Sequence, residues 1–562
     1  MDRGYLHPFQ DGRQYLYGVG ERPRTLLELA MCQLSAHIRS TKNWWKEYGD
    51  HQFRTRWAEE AAERSWTVRS PSGSTLVTLS RRQINYVLDE LDGYAALRDE
   101  MHGCEVSSID RIWHSDSLLD SETLSSLDTG LQCLPGRPND DSVSVDLVDP
   151  FFHCLVYNRT QVYDSFAPES FSLQTRPINT PPSFDYACSS RFACIPTAFS
   201  VSRSDGSLEA KVLSYINNID PSNTSLYHHI EHVVSRCVTL FEYVLTDLHR
   251  NNPLCQRITG SYRYTEWNEP EEPEFSDDDD GWLAYEREVR QWTLHRPIQP
   301  PDVPEQGYPR DLHTRHFKVT LDGRVLRLIV RVTDIRVAPG GPVYTGTPWH
   351  VESMRNENIV ACTMLCTSMF APSLPKTNLV PPSLEFRMAI TAPRMEAGDV
   401  GAAIRTWGLD HFSARNQYLG HIPLSPGSAV AFPNLYQHRL TATHLRDPNH
   451  EGSMTFLGLY LMDPELDAYD GKRDSGWETL SPSSDTVPPQ QKEWMRRAVE
   501  DSIDVRLPFE IVERIVEEVE GVMTAEEAAA YAKEMREERE RFWTLHDEYR
   551  FCLPFDIWEV ES

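Results

Sequence analysis

The chain has 562 residues, 40% hydrophobic and 25% charged, which suits two or three packed units around a sizeable core. Fifty-five Lys and Arg against 84 Asp and Glu leave a formal charge of −29, a field that repels phosphate backbones and disfavours a nucleic-acid partner. The longest apolar run, residues 359–370, falls far short of the ~20 residues a bilayer span needs, so no membrane association is expected.

The N-terminus lacks the apolar stretch of a signal peptide, and the 11 cysteines are scattered without a CxxC pair. Reduced thiols in a cytoplasmic protein are the expectation. From Arg24, the run RTLLELAMCQLSAHIRS starts a helical pattern reaching about residue 64, with Thr25 and Glu28 in capping-box spacing. A second helix is predicted over 81–99, with Ile84, Val87, Leu88 and Leu91 on one face. Residues 151–163 and 192–202 alternate as strands do, and 226–248 return to helical spacing. Residues 1–262 therefore read as an α-rich region with some strands. The segment WNEPEEPEFSDDDDGW lacks the ligand spacing and glycine of an EF-hand, and 263–310 read as an acidic, proline-containing linker.

Over 317–337, two period-2 segments flank Asp322-Gly323, a hairpin signal because both turn residues tolerate positive φ. Strand-like pieces follow at 359–365, 384–390, 428–432 and 454–462. Many short strands between Gly and Pro turns predict a sandwich or barrel in 311–466. Beyond Pro488 the pattern is helical again, giving a C-terminal helical extension over 467–562. Within it, Thr524-x-x-Glu527 opens a long charged helix to about residue 549, which reads as an exposed strut or partner surface.

His350 and Glu352, in Gly346-Thr-Pro-Trp-His350-Val-Glu352, are separated by one residue and on a strand would project to one side. Two histidines and a carboxylate on one face of an ion, with the other positions open, form the ligand set of non-heme Fe(II) oxygenases. The second imidazole comes from Gly427-Ser-Ala-Val-Ala-Phe-Pro433-Asn-Leu-Tyr-Gln-His438, read as strand, tight turn, strand. Its spacing resembles the second motif of cupins, with Leu435 where that motif has a glycine. Roughly ninety residues separate the two histidines, room for several intervening barrel strands. His444 and His450 read as surface, His228 and His229 as helical, and Cys362 and Cys366 as core. There is no P-loop, dinucleotide fingerprint or Gly-x-Ser-x-Gly elbow in a suitable context.

The same stretches resemble DUF4246, a large, mostly fungal family of unknown function. The resemblance runs over nearly the whole chain, in WHVESMRNENIVA, LEFR (384–387), AFPNLYQHRL, LMDP (461–464), VDLVDPFFHCLVYNRT, SYINNID, TVPPQQKEW and MTAEEA. It implies an α+β protein with a double-stranded β-helix (jelly-roll, cupin-like) core, an α-rich N-terminal region and C-terminal helices. It further implies an iron- and 2-oxoglutarate-dependent oxygenase, with His350, Glu352 and His438 as metal ligands and catalytic residues. Fe(II), 2-oxoglutarate, molecular oxygen and a small-molecule substrate are the implied cofactors and partners.

Two departures matter, one being that a tyrosine-rich stretch after the family's first motif is here Leu365-Cys-Thr367. Such oxygenases hold the distal carboxylate of 2-oxoglutarate with an Arg or Lys near the start of the last barrel strand, where this chain has Met454. A thioether cannot make the charge-assisted bonds a guanidinium gives a carboxylate. Arg331, Arg387 and Arg446 are candidate replacements, and Arg387 is preferred because it lies on an expected core strand and a buried Arg needs a partner. Asn356 and Asn358 are candidates for binding cosubstrate or steadying the ligands. Arg439 should point away from His438, and Trp349 should pack in the barrel. Two rival readings remain: a metal-dependent oxidase or cyclase of secondary metabolism that does without 2-oxoglutarate, and a non-catalytic interaction protein.

Overall fold

The computed structural model describes residues 4–138, 143–163, 175–180, 185–204, 206–275, 279–368, 378–465, 482–502 and 507–560. Helix α1 (Leu26–Arg39) opens as its sequence predicts, with the Thr25 side chain accepting the Glu28 N–H at 3.0 Å. The helical pattern expected to continue to about residue 64 is broken twice. Asn43 takes a left-handed φ of 64°, and Asp50 caps a fresh start at His51–Glu63. Helix α2 (Arg81–Leu97) begins with a reciprocal capping box between Ser80 and Gln83. Strand β1 (Ser144–Val148) and the hairpin of β2 (Thr197–Ser204) and β3 (Ser207–Val212) precede helix α3 (Thr224–Leu248). That helix buries Ile230, Val234, Val238, Phe241 and Leu245 on one stripe.

The expected acidic linker contains regular structure. Asp279–His295 is a helix with Asp279 and Asp280 in its first turn, where carboxylates favour the helix dipole. Asp277 and Asp278 of the same run lie outside the described residues.

The remaining strands are β4 (Val325–Val337), β5 (Ile359–Cys366), β6 (Ser383–Ala389), β7 (Asn416–Pro423), β8 (Ala429–Pro433), β9 (Gln437–Leu440) and β10 (Gly452–Met462). They divide between two antiparallel sheets. The larger, of ten strands, runs β3-β2-β4-β10-β5-β8 and on to Trp113–Ser115 and Glu105–Val106, with β1 also paired to β4. The smaller is β7-β6-β9. The hairpin expected around Asp322-Gly323 does not form. Residues 317–321 instead run along α3, where the Val319 N–H donates to Thr246 Oγ1 and the Leu321 N–H to Glu242 Oε1. Strand β4 takes distant partners: β10 along one edge, from Leu328↔Leu461 to Val337↔Gly452, and β1 and β2 along the other.

Alternation sorts the faces of the larger sheet. Leu457, Leu459 and Leu461 of β10 point outward into the core shared with α1, α2 and α3. Met454, Phe456, Tyr460 and Met462 point inward and meet Leu384, Phe386 and Leu440 of the smaller sheet. Both faces are buried, so the strand reads as nearly continuous apolar sequence. The α+β class holds. Among the described residues, however, the two sheets are not hydrogen-bonded into a closed barrel, because the chain entering β5 forms no strand against the smaller sheet and meets it through the bridge His350↔His438 and the hydrogen bonds between Thr347 and Leu440.

The last long helix, α4 (Ala525–His546), is no exposed strut. Ala528, Ala532, Met535, Arg539, Phe542 and His546 are buried at alternating spacings of four and three, a seam that packs one side inward. Phe542 joins Phe9, Ala187, Val351 and Met354 in one cluster, just behind the candidate ligands. No helix among the described residues is long and apolar enough to cross a membrane.

Candidate metal centre

His350 and Glu352 lie in the connection between β4 and β5 rather than within a strand. Their convergence with His438 has a backbone cause. The His350 N–H donates to the His438 carbonyl at 3.1 Å and the His438 N–H to the His350 carbonyl at 2.9 Å. Directly opposed residues in such a pair send their side chains to the same side. Glu352 is set by Asn434, in the turn between β8 and β9. The Asn434 Oδ1 accepts the Glu352 N–H at 2.8 Å, while its Nδ2 donates to the carbonyls of Glu352 and Ile359, each at 3.0 Å. Sequence reasoning passes over Asn434. Its only signal is a polar residue between Pro433 and the ligand histidine.

Glu352 Oε1 stands 3.3 Å from His438 Nε2 and 3.6 Å from His350 Nε2, and the three candidate ligand atoms all lie within 4.8 Å of one another. Bonds of ~2.0–2.2 Å to a common ion place adjacent ligands ~3 Å apart, so this spacing suits three ligands on one face of a cation. Burial opposes ionisation of Glu352, but the two imidazoles outweigh it and hold the carboxyl well below the usual range. Burial, and then His350, push the His438 pKa down despite Glu352, favouring the neutral imidazole. A carboxylate at Glu352 and a neutral imidazole at His438 are the forms in which these two side chains bind a metal. His350 Nδ1 lies 2.8 Å from the Pro348 carbonyl, a contact that places the proton there and leaves Nε2 free to ligate.

The triad opens onto a cavity of about 390 Å³. Its walls include Arg331, Thr333 and Ile335 of β4, Phe456, Gly458 and Tyr460 of β10, and Arg536, Arg539, Glu540 and Trp543 of α4. Gly458 is needed here: a Cβ would sit 2.8 Å from the Tyr460 hydroxyl, so the missing side chain makes room for that ring. Burial and then Glu352 raise the Tyr460 pKa well above its ordinary value, keeping a neutral phenol at the wall.

Of the other predicted site residues, Arg331 alone reaches the cavity. Its guanidinium is 3.3 Å from both oxygens of Asp146. Met454 is fully buried on the same inner face. Arg387 points the other way, because Leu384 and Phe386 take the inward positions of β6. It bonds Gln437 at 2.6 Å, pairs with Asp547 and stacks on Trp349. Arg439 shares that outer face, bonding Glu385 at 2.6 Å, and half-buried Trp349 lies between the two guanidiniums rather than inside. Arg446 is exposed. Asn356 is buried away from the cavity, bonding Ser189 and the Tyr157 hydroxyl, and so ties down the loop beyond the ligands. Asn358 has a φ of 46°, and its carbonyl accepts the Asp463 N–H at 3.0 Å. Neither asparagine lines the cavity.

Gly346 has a φ of +88°, and a Cβ there would lie 2.3 Å from the Leu440 carbonyl oxygen. Gly346→Ala is expected to cost about 1–3 kcal/mol in denaturant unfolding and to loosen the His350–His438 pairing, since strained left-handed backbone and a clash with β9 arrive together.

Residues 81–498 match the family described as "Protein of unknown function (DUF4246)", and residues 2–60 match its N-terminal domain. No curated protein matches the chain. Among solved structures, the Fe(II)/α-ketoglutarate-dependent dioxygenase TqaL is similar at 6% identity over 81% of this chain and 94% of that one, with a TM-score of 0.25. AviO1 from Streptomyces viridochromogenes is 15% identical over 36% of this chain and 90% of its own, with a TM-score of 0.14. The Escherichia coli ribosomal oxygenase YcfD is 9% identical over 56% of each chain, with a TM-score of 0.12.

Proposed function

The chain belongs to the DUF4246 family, and we propose that it is a non-heme Fe(II) oxygenase acting on a small organic molecule, with 2-oxoglutarate as cosubstrate. One observation carries the reading: two buried imidazoles and a buried carboxylate, within 4.8 Å of one another, face a common cavity. His350, Glu352 and His438 would hold the metal, which when bound supplies oxygen activation and oxidising power. The protein's own part is orientation and exclusion. The Pro348 carbonyl fixes the His350 tautomer, Asn434 fixes the Glu352 backbone, and Phe151, Met364, Leu384 and Phe456 keep water from the walls. Arg331 takes the role of carboxylate anchor that Met454 cannot perform, since it stands on the inner face of β4, opposite Gly458, and lines the cavity.

Iron-loaded protein under anaerobic conditions is expected to develop a visible charge-transfer band on adding 2-oxoglutarate. Arg331→Gln should raise the 2-oxoglutarate concentration needed for half the band at least tenfold, about 1.4 kcal/mol. Metal-loaded protein that shows no band would remove this cosubstrate from the reading.

The buried Met454 and the Asp146 already beside Arg331 favour a second reading, in which the substrate itself chelates iron and no keto acid is used. Substrate-dependent oxygen uptake without any keto acid would select it.

A further inference from the structure

The charged stripe of α4, which its sequence presents as solvated surface, runs Arg536, Arg539, Glu540, Trp543, and all four side chains line the cavity. Spacings of three, four and seven place them on one helix face. Arg536 is paired with Asp149, and Glu540 is exposed. Arg539 differs. It is 1% exposed, its Nη2 donates to Glu357 Oε1 at 2.5 Å, and its Nε and Nη1 have no partner among the described residues. Glu357 is already occupied by the N–H groups of Cys194 and Met354 at 2.9 and 3.1 Å. Trp543 sits one turn further on, its ring 4.9 Å from that of His350, and its buried Nε1–H also lacks a partner.

Buried donors without acceptors are costly and uncommon, so three of them on two side chains that line the cavity beside the candidate metal ligands call for an acceptor. A cation with spare N–H groups, joined by an indole N–H, suits a carboxylate. Next to them the wall is apolar, from Phe151, Tyr344, Met364 and Phe456. We propose that Arg539 and Trp543 form a carboxylate subsite, and that the organic substrate is an apolar molecule bearing one acid group. As an anion site this needs no metal; only its part in positioning the substrate rests on the oxygenase reading.

The test uses full-length, metal-free protein labelled with 5-fluorotryptophan and followed by fluorine NMR, with Trp543→Phe assigning the Trp543 resonance. Phenylacetate should shift that resonance saturably, whereas neutral phenylacetamide should not. Arg539→Gln should weaken phenylacetate at least tenfold, and Arg539→Lys less. If 2-oxoglutarate moves the same resonance with the same Arg539 dependence, the subsite serves the cosubstrate's acid group and the substrate assignment is overturned. If no carboxylate moves it, the donors hold water and the subsite itself is overturned. Should Arg539→Gln unfold, having taken a partner from Glu357, Trp543→Phe decides the matter by calorimetry: phenylacetate affinity falls several-fold with an unchanged melting temperature, and an unaltered affinity overturns the proposal. Failure to bind iron in a separate dialysis would sink the oxygenase reading and leave these results standing.

Discussion

Glu352→Ala is expected to abolish one-to-one iron binding while the protein stays folded. Glu352 supplies the sole carboxylate among the three clustered ligand atoms, and its Oε1 stands 3.6 and 3.3 Å from the Nε2 atoms of His350 and His438. Without it, two imidazoles remain, with no negative charge to offset that of the cation. Affinity should fall at least a hundredfold, about 2.7 kcal/mol. The fold should persist because Asn434 grips the Glu352 backbone, which alanine retains. Equilibrium dialysis with metal analysis reads the first effect and thermal unfolding the second. A variant that still binds one iron as tightly as the parent would remove Glu352 from the ligand set.

The second large effect lies away from the site, at Arg257. This side chain is almost wholly buried, with Nε 2.8 Å from Glu90, Nη1 3.2 Å from Asp110 and Nη2 2.8 Å from the Tyr94 hydroxyl, while its backbone N–H bonds Glu28 at 3.0 Å. Glu28 comes from α1 and Glu90 from α2, so one guanidinium neutralises acids from two helices. Arg257→Ala strands Glu90 in the core, while Glu28 keeps Arg24 and the backbone N–H of residue 257, and should cost about 3–5 kcal/mol in denaturant unfolding at neutral pH. Burial already raises the Glu28 and Glu90 carboxyls, with Arg257 among the groups opposing it. Without that opposition their folded pKa values rise further above the unfolded ones. The folded variant then binds protons more tightly than its unfolded form, so the penalty should shrink as pH falls toward about 5. A penalty that instead grows with acidification would contradict this account.

Local and chemical signals carried further in the sequence than facing and long-range pairing. Thr25 and Thr524 announced helix starts because a cap needs only a few neighbouring residues. His350, Glu352 and His438 were legible as a ligand set from residue type and spacing, although the pairing that joins them is a single backbone bridge and not the strand the spacing suggests. Asp322-Gly323 carried a hairpin signal, but β4 gained more from ten register pairs with β10 than from residues 317–321, which α3 claims. Arg387 was misplaced for a parity reason: on β6 the inward Phe386 and the outward Arg387 are adjacent, and the apolar run does not mark which is which. On α4, charge masked the burial. Its seam includes Arg539 and His546, which a hydrophobic stripe would not contain.

The cavity is built from chain segments as far apart as Ser144 and Trp543. A nascent chain therefore releases its three candidate ligands about a hundred residues before the last wall exists, an interval of roughly 5–20 s at ribosomal speeds of ~5–20 residues per second. Through that time the cavity lacks first the wall from β10 and then the one that Arg536, Arg539, Glu540 and Trp543 of α4 supply. Order of translation thus leaves the cavity open on that side until α4 has been made.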